Sequence, residues 1–175
     1  MGPEKGQSNE ESVASSIRSE SLNKDRNVKE DPVLVCFDVD GTILDKNGNF
    51  IDREGLKNLI DNLLEHGHKV AITTLSTIYD ELLLKQIGLT EDQIKGIPIM
   101  AYSDPKTTGG GNKKRHIQEA MQSTNVKDVK RIILVDDDGN QIIRAKFIGA
   151  TGVQAGYEGF SWSKVQKAVD KLNQK

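Results

Sequence analysis

The sequence predicts an α/β fold in which a parallel sheet carries helices on both faces. Three observations lead there. Short apolar runs alternate with segments of helical periodicity from residue 33 to residue 172. The runs are continuously apolar, as in Val33-Leu34-Val35-Cys36 and Ile132-Ile133-Leu134-Val135, which suits strands covered on both sides. Polar residues stand where the runs break off, at Asp38, Thr74 and Asp136, so the chemistry gathers at the carboxyl edge of the sheet.

The elements follow in order. Residues 33–37 form a first strand. Asp45-Lys46-Asn47-Gly48-Asn49 is turn chemistry between Ile43-Leu44 and Phe50-Ile51, a short hairpin flap. Asp52 then precedes a helix whose Leu56, Leu59, Ile60, Leu63 and Leu64 recur at i, i+3, i+4, i+7 and i+8, closed by His66-Gly67. A strand over 69–74, a helix over 77–87, a strand over 97–102 and a helix from 112 to about 121 come next. The remainder reads as strand 131–135, helix 141–147, a short strand 152–155 and a closing helix 163–172. Residues 1–31 hold no aromatic residue and no sustained periodicity. They read as a disordered tail ahead of a folded domain over 32–175. Within the tail, residues 13–22 offer either a transient helix that docks a partner or a plain solvated leader.

A chain of 175 residues, net charge −2 and pI near 5.9 has the size of one ordinary domain. It shows no stretch of apolar residues long enough for a membrane helix, no signal-peptide pattern and no basic footprint for nucleic acid. The single cysteine, Cys36, excludes an internal disulfide; inside a strand it reads as a small hydrophobe rather than a nucleophile. The expected location is cytoplasmic.

The constellation is chemical. Asp38-Val39-Asp40-Gly41-Thr42 sets two carboxylates at the end of the first strand, one able to attack phosphorus and one able to trade a proton with a leaving group. Thr74 ends the second strand with a hydroxyl for a phosphate oxygen. The loop Thr107-Thr108-Gly109-Gly110-Gly111-Asn112, a rim to the site or a plain connector, leads to Lys113 and Lys114 at a helix start. Asp136-Asp137-Asp138 follows the fourth strand and suits a hard cation. Rival motifs fail. The glycine loop lacks the Gly-Lys-Ser/Thr of a P-loop, Asp136-Asp137-Asp138-Gly139 lacks EF-hand spacing, and a receiver domain would carry its acidic pair on the first strand. His66, His68 and His116 lack metal spacing and read as structural. Tyr157, Phe160 and Trp162 read as packing for the closing helix.

Asp-x-Asp-Gly-Thr, a strand-terminal Thr, a Lys before a helix and a strand-terminal Asp-Asp, in that order, resemble the four motifs of the haloacid dehalogenase (HAD) superfamily. The resemblance runs from Val33 to the end of the chain and implies a Rossmann-like sheet. It gives Asp38 the role of nucleophile and Asp40 that of general acid/base, whose backbone carbonyl also faces the metal. Thr74 (Thr73 the alternative) and Lys113 (Lys114 the alternative) would hold the phosphate. Mg²⁺ would sit with Asp38, Asp40 and Asp137, the last as direct ligand; Asp136 would help to position the shell, Asp138 would be a solvated loop carboxylate, and Asn140 is a candidate for the outer shell. An acid at position 40 points to a phosphatase that works through a phosphoaspartate.

The spacing leaves no room for a cap domain, either in the hairpin or between Thr74 and Lys113, so the site is expected to be open. Open relatives resemble phosphoprotein and polynucleotide-end phosphatases; with no basic groove or aromatic-basic run for a polynucleotide, the expected substrate is phosphotyrosine or phosphoserine in a protein. The alternatives are a small-molecule phosphatase closed by oligomerisation and a non-catalytic binding module on the same scaffold.

Overall fold

The computed structural model describes residues 31–103 and 111–174. Five strands, β1 (Leu34–Phe37), β2 (Lys69–Thr74), β3 (Ile99–Ala101), β4 (Ile132–Asp136) and β5 (Thr151–Gln154), form one all-parallel sheet in the order β3-β2-β1-β4-β5. Around it lie the helices α1 (Arg53–Glu65), α2 (Glu81–Ile87), α3 (Glu91–Lys95), α4 (Lys114–Thr124), α5 (Gly139–Phe147) and α6 (Ser163–Leu172).

The strands read as continuous apolar runs because successive side chains serve two different cores. Val35, Phe37, Val70, Ile72, Ile133 and Val135 pack with α1, α2, α3 and α6 on one face. Leu34, Cys36, Ala71, Ile132 and Leu134 pack with α4 and α5 on the other. Each fully buried Leu, Ile or Phe contributes roughly 1.5–3 kcal/mol, so neither face dispenses with its helices. On α1 the predicted stripe is the buried one: Leu56, Leu59, Ile60 and Leu63 face the sheet.

Phe37 lies opposite Ile72 on one side and Val135 on the other, so β4 runs one residue and β2 two residues past the end of β1, bringing Asp136 and Thr74 up beside Asp38. From β1 the chain moves outward to β2 and β3, then returns on the far side of β1 as β4. The β1–β4 border is therefore the topological switch point, where helices leave in opposite directions and open a crevice above the strand ends.

Several boundaries depart from the sequence reading. The second helix starts at Glu81 instead of residue 77, because the Asp80 side chain accepts the Leu82 N–H at 2.9 Å and caps it there. A short helix, α3, was not foreseen; Thr90 and Gln93 form a reciprocal capping box, with Thr90 Oγ1 accepting from Gln93 N at 3.2 Å and Gln93 Oε1 accepting from Thr90 N at 2.9 Å. The third strand shrinks to Ile99–Ala101, and α4 starts two residues late and runs three further, to Thr124. The hairpin forms as expected around bonds from Asp45 N to Asn49 O and from Ile51 N to Ile43 O.

Residues 38–52 join β1 to α1, and residues 75–113 join β2 to α4 through α2, α3 and β3; among the described residues neither connection holds an inserted domain. The tail, with the docking role read into it, and most of the Gly-rich loop lie outside the described residues. No helix among the described residues is long and apolar enough to cross a membrane.

Candidate active site

Above the switch point lies a cleft of about 280 Å³ lined by Asp38, Asp40, Thr74, Ser76, Lys113 and Asp137, among others. Its floor is an ion bridge. Lys113 Nζ, itself buried, donates to Asp38 Oδ1 at 2.7 Å and to Asp136 Oδ2 at 2.6 Å. The remaining oxygens of the pair are also held: Asp38 Oδ2 accepts from the Thr42 hydroxyl at 3.0 Å, and Asp136 Oδ1 from the Asp138 N–H at 3.0 Å. Asp38 thus keeps one orientation through Thr42 in its own loop and Lys113 from the approach to α4.

Burial pushes the Asp38 carboxyl up to about 6, against the pull of the Lys113 ammonium and with a further push from Asp137. Asp136 and Asp137 are raised too, chiefly by burial, Asp136 further by Asp38 and Asp137 further by Asp136. Burial alone would lower the Lys113 ammonium, but the two carboxylates outweigh it and hold the amine above its ordinary value. Asp38, Asp136 and Asp137 each bring a carboxylate oxygen within 4.8 Å of the others. One ammonium among three such carboxylates leaves the cluster short of positive charge. An all-oxygen donor set with a solvent-facing member, Asp137, fits a hard divalent cation.

Two glycines make room for Asp137. A Cβ on Gly41, whose φ is +83°, would lie 2.1 Å from Asp137 Oδ2, and one on Gly156 (φ +78°) would lie 2.7 Å from the Asp137 Cβ. Both positions combine a left-handed backbone with close approach, so a side chain at either would displace the carboxylate.

Burial and direction distinguish the adjacent candidates. Lys113 is 3% exposed and faces the cleft floor, whereas Lys114 is exposed on the first turn of α4. Thr74 lines the cleft and its Oγ1 accepts from Ser76 N at 3.1 Å, leaving the hydroxyl hydrogen to donate; Thr73 Oγ1 is buried without a partner and does not line it. Asp40 is exposed at the mouth. Asp138, expected as a solvated loop carboxylate, instead caps α5, accepting the Asn140 N–H at 2.9 Å, because the helix starts there rather than at residue 141. Asn140 stays exposed.

Three residues support the site: Gln141 and Tyr79, which the sequence reading did not single out, and His116, which it read as structural. Gln141, buried, accepts the Lys113 N–H through Oε1 at 3.1 Å and donates Nε2–H to the Gly111 carbonyl at 3.0 Å, clamping the segment that delivers the lysine. His116 places Nε2 2.7 Å from the Tyr102 carbonyl and 3.1 Å from that of Thr74. Since both are acceptors, Nε2 carries the proton, and α4 is tied to the ends of β2 and β3. The third, Tyr79, donates its phenol to Asp40 Oδ1. Thr42 was visible as the last residue of Asp-x-Asp-Gly-Thr; these three become neighbours of the site only through folding. His66 and His68 serve helix and strand ends, and Trp162 packs edge-on against Phe37 and Phe160 at 5.8 and 5.2 Å, as read from the sequence.

The sheet carries paired carboxylates above its switch point with a lysine between them, and known proteins resemble the chain in part of its sequence and in its fold. Residues 35–80 match the family model of haloacid dehalogenase-like hydrolases. The fold is similar to that of a protein from Listeria monocytogenes serotype 4b (14% identity, 82% of this chain and 99% of that one, TM-score 0.58). It is also similar to β-phosphoglucomutase from Clostridium difficile (11% identity, 82% and 100%, TM-score 0.55). A HAD-like family hydrolase from Porphyromonas gingivalis resembles it as well, at 12% identity over 83% and 100% of the chains with a TM-score of 0.50. No curated protein sequence matches the chain. Over residues 35–80 the chain is thus similar in sequence to haloacid dehalogenase-like hydrolases, and its fold is the one these structures share.

Proposed function

We propose that the protein is a Mg²⁺-dependent phosphomonoesterase acting through an aspartyl phosphate, with phosphorylated protein as its substrate. The observation that carries the chemistry is the Lys113 bridge between Asp38 and Asp136, with Asp40 two residues beyond the nucleophile position and exposed at the mouth.

Asp38, Asp137 and the Asp40 carbonyl would hold the ion, with Asp136 positioning them; when bound it neutralises negative charge on the phosphoryl group and its surroundings. The rest falls to the chain's own residues. Asp38 attacks phosphorus, the bond to the leaving oxygen breaks, and Asp40 delivers a proton to that oxygen. The resulting acyl phosphate is then hydrolysed by a water whose proton Asp40 takes, which returns both carboxylates to their starting states. The Lys113 ammonium and the Thr74 hydroxyl offset charge on the phosphoryl oxygens where it accumulates. Carboxylates repel anionic substrates, so the Lys113 ammonium, together with the ion the carboxylates would hold, is what would make a carboxylate usable as the nucleophile.

The phosphoprotein substrate is supported by openness. Asp40 and Asp137 are exposed, and neither connection that could bear a cap holds one among the described residues. A large substrate can then exclude water itself. The test is hydrolysis of p-nitrophenyl phosphate and of phosphotyrosine and phosphoserine peptides, with Mg²⁺ or EDTA, by wild type and Asp38→Asn. Mg²⁺-dependent turnover lost in the variant is the expected result. Turnover that survives Asp38→Asn would overturn the mechanism, and turnover of small phosphomonoesters with none on any peptide would overturn the substrate class.

A further inference from the structure

We propose that Tyr79 is a positioning residue for Asp40: its phenol O–H binds Oδ1 and leaves Oδ2 as the oxygen that exchanges a proton with the leaving group. The inference rests on the reading of Asp40 as general acid/base given above.

Asp40 is exposed, and among the described residues no other side chain bonds its carboxylate. A solvent-facing aspartate samples several rotamers, and most of them aim its oxygens away from a phosphate held over Asp38. A proton transfer succeeds only from within hydrogen-bond reach, so an unrestrained carboxylate loses rate through time spent elsewhere. Tyr79 removes that freedom from a fixed base. Its ring packs against the core formed by α1, α2 and the sheet, and the next residue, Asp80, is held as the cap of α2. The phenol therefore projects from anchored backbone on one side and an anchored ring on the other.

Since the phenol occupies Oδ1 as a donor, a proton carried by Asp40 is directed to the other oxygen. The pairing spans 39 positions of sequence, with α1 and β2 between, so nothing in the motif around Asp40 announces it.

Leaving-group dependence tests this. A p-nitrophenolate departs without a proton, whereas the alkoxide of phosphoserine needs one, so only the second reaction depends on a well-placed acid. The parameter kcat/KM is measured for p-nitrophenyl phosphate and for a phosphoserine peptide with wild type, Tyr79→Phe, Asp40→Asn and the double variant, each checked for an unchanged melting temperature. Tyr79→Phe should lower kcat/KM on the phosphoserine peptide about tenfold, a fraction of the ~10²–10⁴-fold that a general acid supplies, and on p-nitrophenyl phosphate less than about threefold. In the Asp40→Asn background the Tyr79→Phe effect should vanish, because two residues acting through one proton are not additive. Equal losses on both substrates, or a Tyr79→Phe effect that persists without Asp40, would overturn the assignment and leave the proposed function standing. A wild type inert on both substrates would overturn both. If Tyr79→Phe proves unstable, Tyr79→His, which restores an N–H donor, should recover the phosphoserine reaction selectively; failure to do so overturns the assignment equally.

Discussion

Replacing Lys113 by Met leaves two buried carboxylates facing each other across a cleft floor. Asp38 and Asp136 are 6% and 1% exposed, and Lys113 is the ammonium that bridges them. Removing one partner of a buried ion pair costs about 3–5 kcal/mol, a large share of the 5–15 kcal/mol that holds a domain together. The cost should depend on pH. Asp38 already titrates near 6 in the folded protein against 3.8 for a free side chain, and loss of the lysine removes an influence that holds it down. A carboxyl whose folded pKa lies above its unfolded one binds more protons in the folded state, so stability falls as pH rises between the two values. At pH 8 the variant faces the full cost. At pH 5 Asp38 is largely protonated, and the loss falls toward that of hydrogen bonds, about 1–2 kcal/mol. Urea denaturation of wild type and Lys113→Met at both pH values, in EDTA, measures this directly. Adding Mg²⁺ at a hundred times its Kd should then return about 2.7 kcal/mol at pH 8 to whichever protein binds it. A cost under about 1 kcal/mol at pH 8, or an equal cost at both, would refute the view that Lys113 is the counter-ion on which the buried carboxylates depend.

Other outcomes follow from the same coordinates. Gly41→Ala places a methyl 2.1 Å from Asp137 Oδ2 on a left-handed backbone, and isothermal titration should show Mg²⁺ affinity reduced tenfold or more, about 1.4 kcal/mol. The thiol of Cys36 is pushed up to about 12, mainly by complete burial, so a thiol-reactive dye should label the protein only in denaturant; rapid native labelling would contradict the β1 placement. Thr90→Ala breaks one half of the α3 capping box and should cost about 1 kcal/mol by chemical denaturation.

Much of the fold was legible because its rules are local. A strand buried on both faces must be apolar throughout, so β1, β2 and β4 stood out as runs, and helix α1 declared itself by periodicity. Parallel pairing followed from the helices between strands. Boundaries were less legible where a cap decided them. Asp80 and Asp138 each start a helix by holding a backbone N–H, and a cap of that kind competes with neighbouring Ser, Thr and Asp residues that look equally able. The capping box at Thr90 and Gln93 was present in the sequence as Thr-x-x-Gln and was passed over because only five helical residues follow it.

By itself, the sequence determined the alternation of elements and the order in which Asp38, Asp40, Thr74, Lys113 and the Asp136-Asp137 pair occur, because motif order is a property of the chain. It left Lys113 against Lys114 and Thr73 against Thr74 open, since adjacent residues share composition and differ only in direction. Tertiary structure sets each pair apart by direction. The approach into α4 turns Lys113 inward beneath the Asp38 carboxylate, and β2 ends with Thr74 facing the cleft. Folding alone also brought Gln141 to the Lys113 backbone and Tyr79 to Asp40, across 28 and 39 residues. Such contacts depend on strand order and register, which bring distant segments together at the switch point, and no local pattern of side chains encodes that distance.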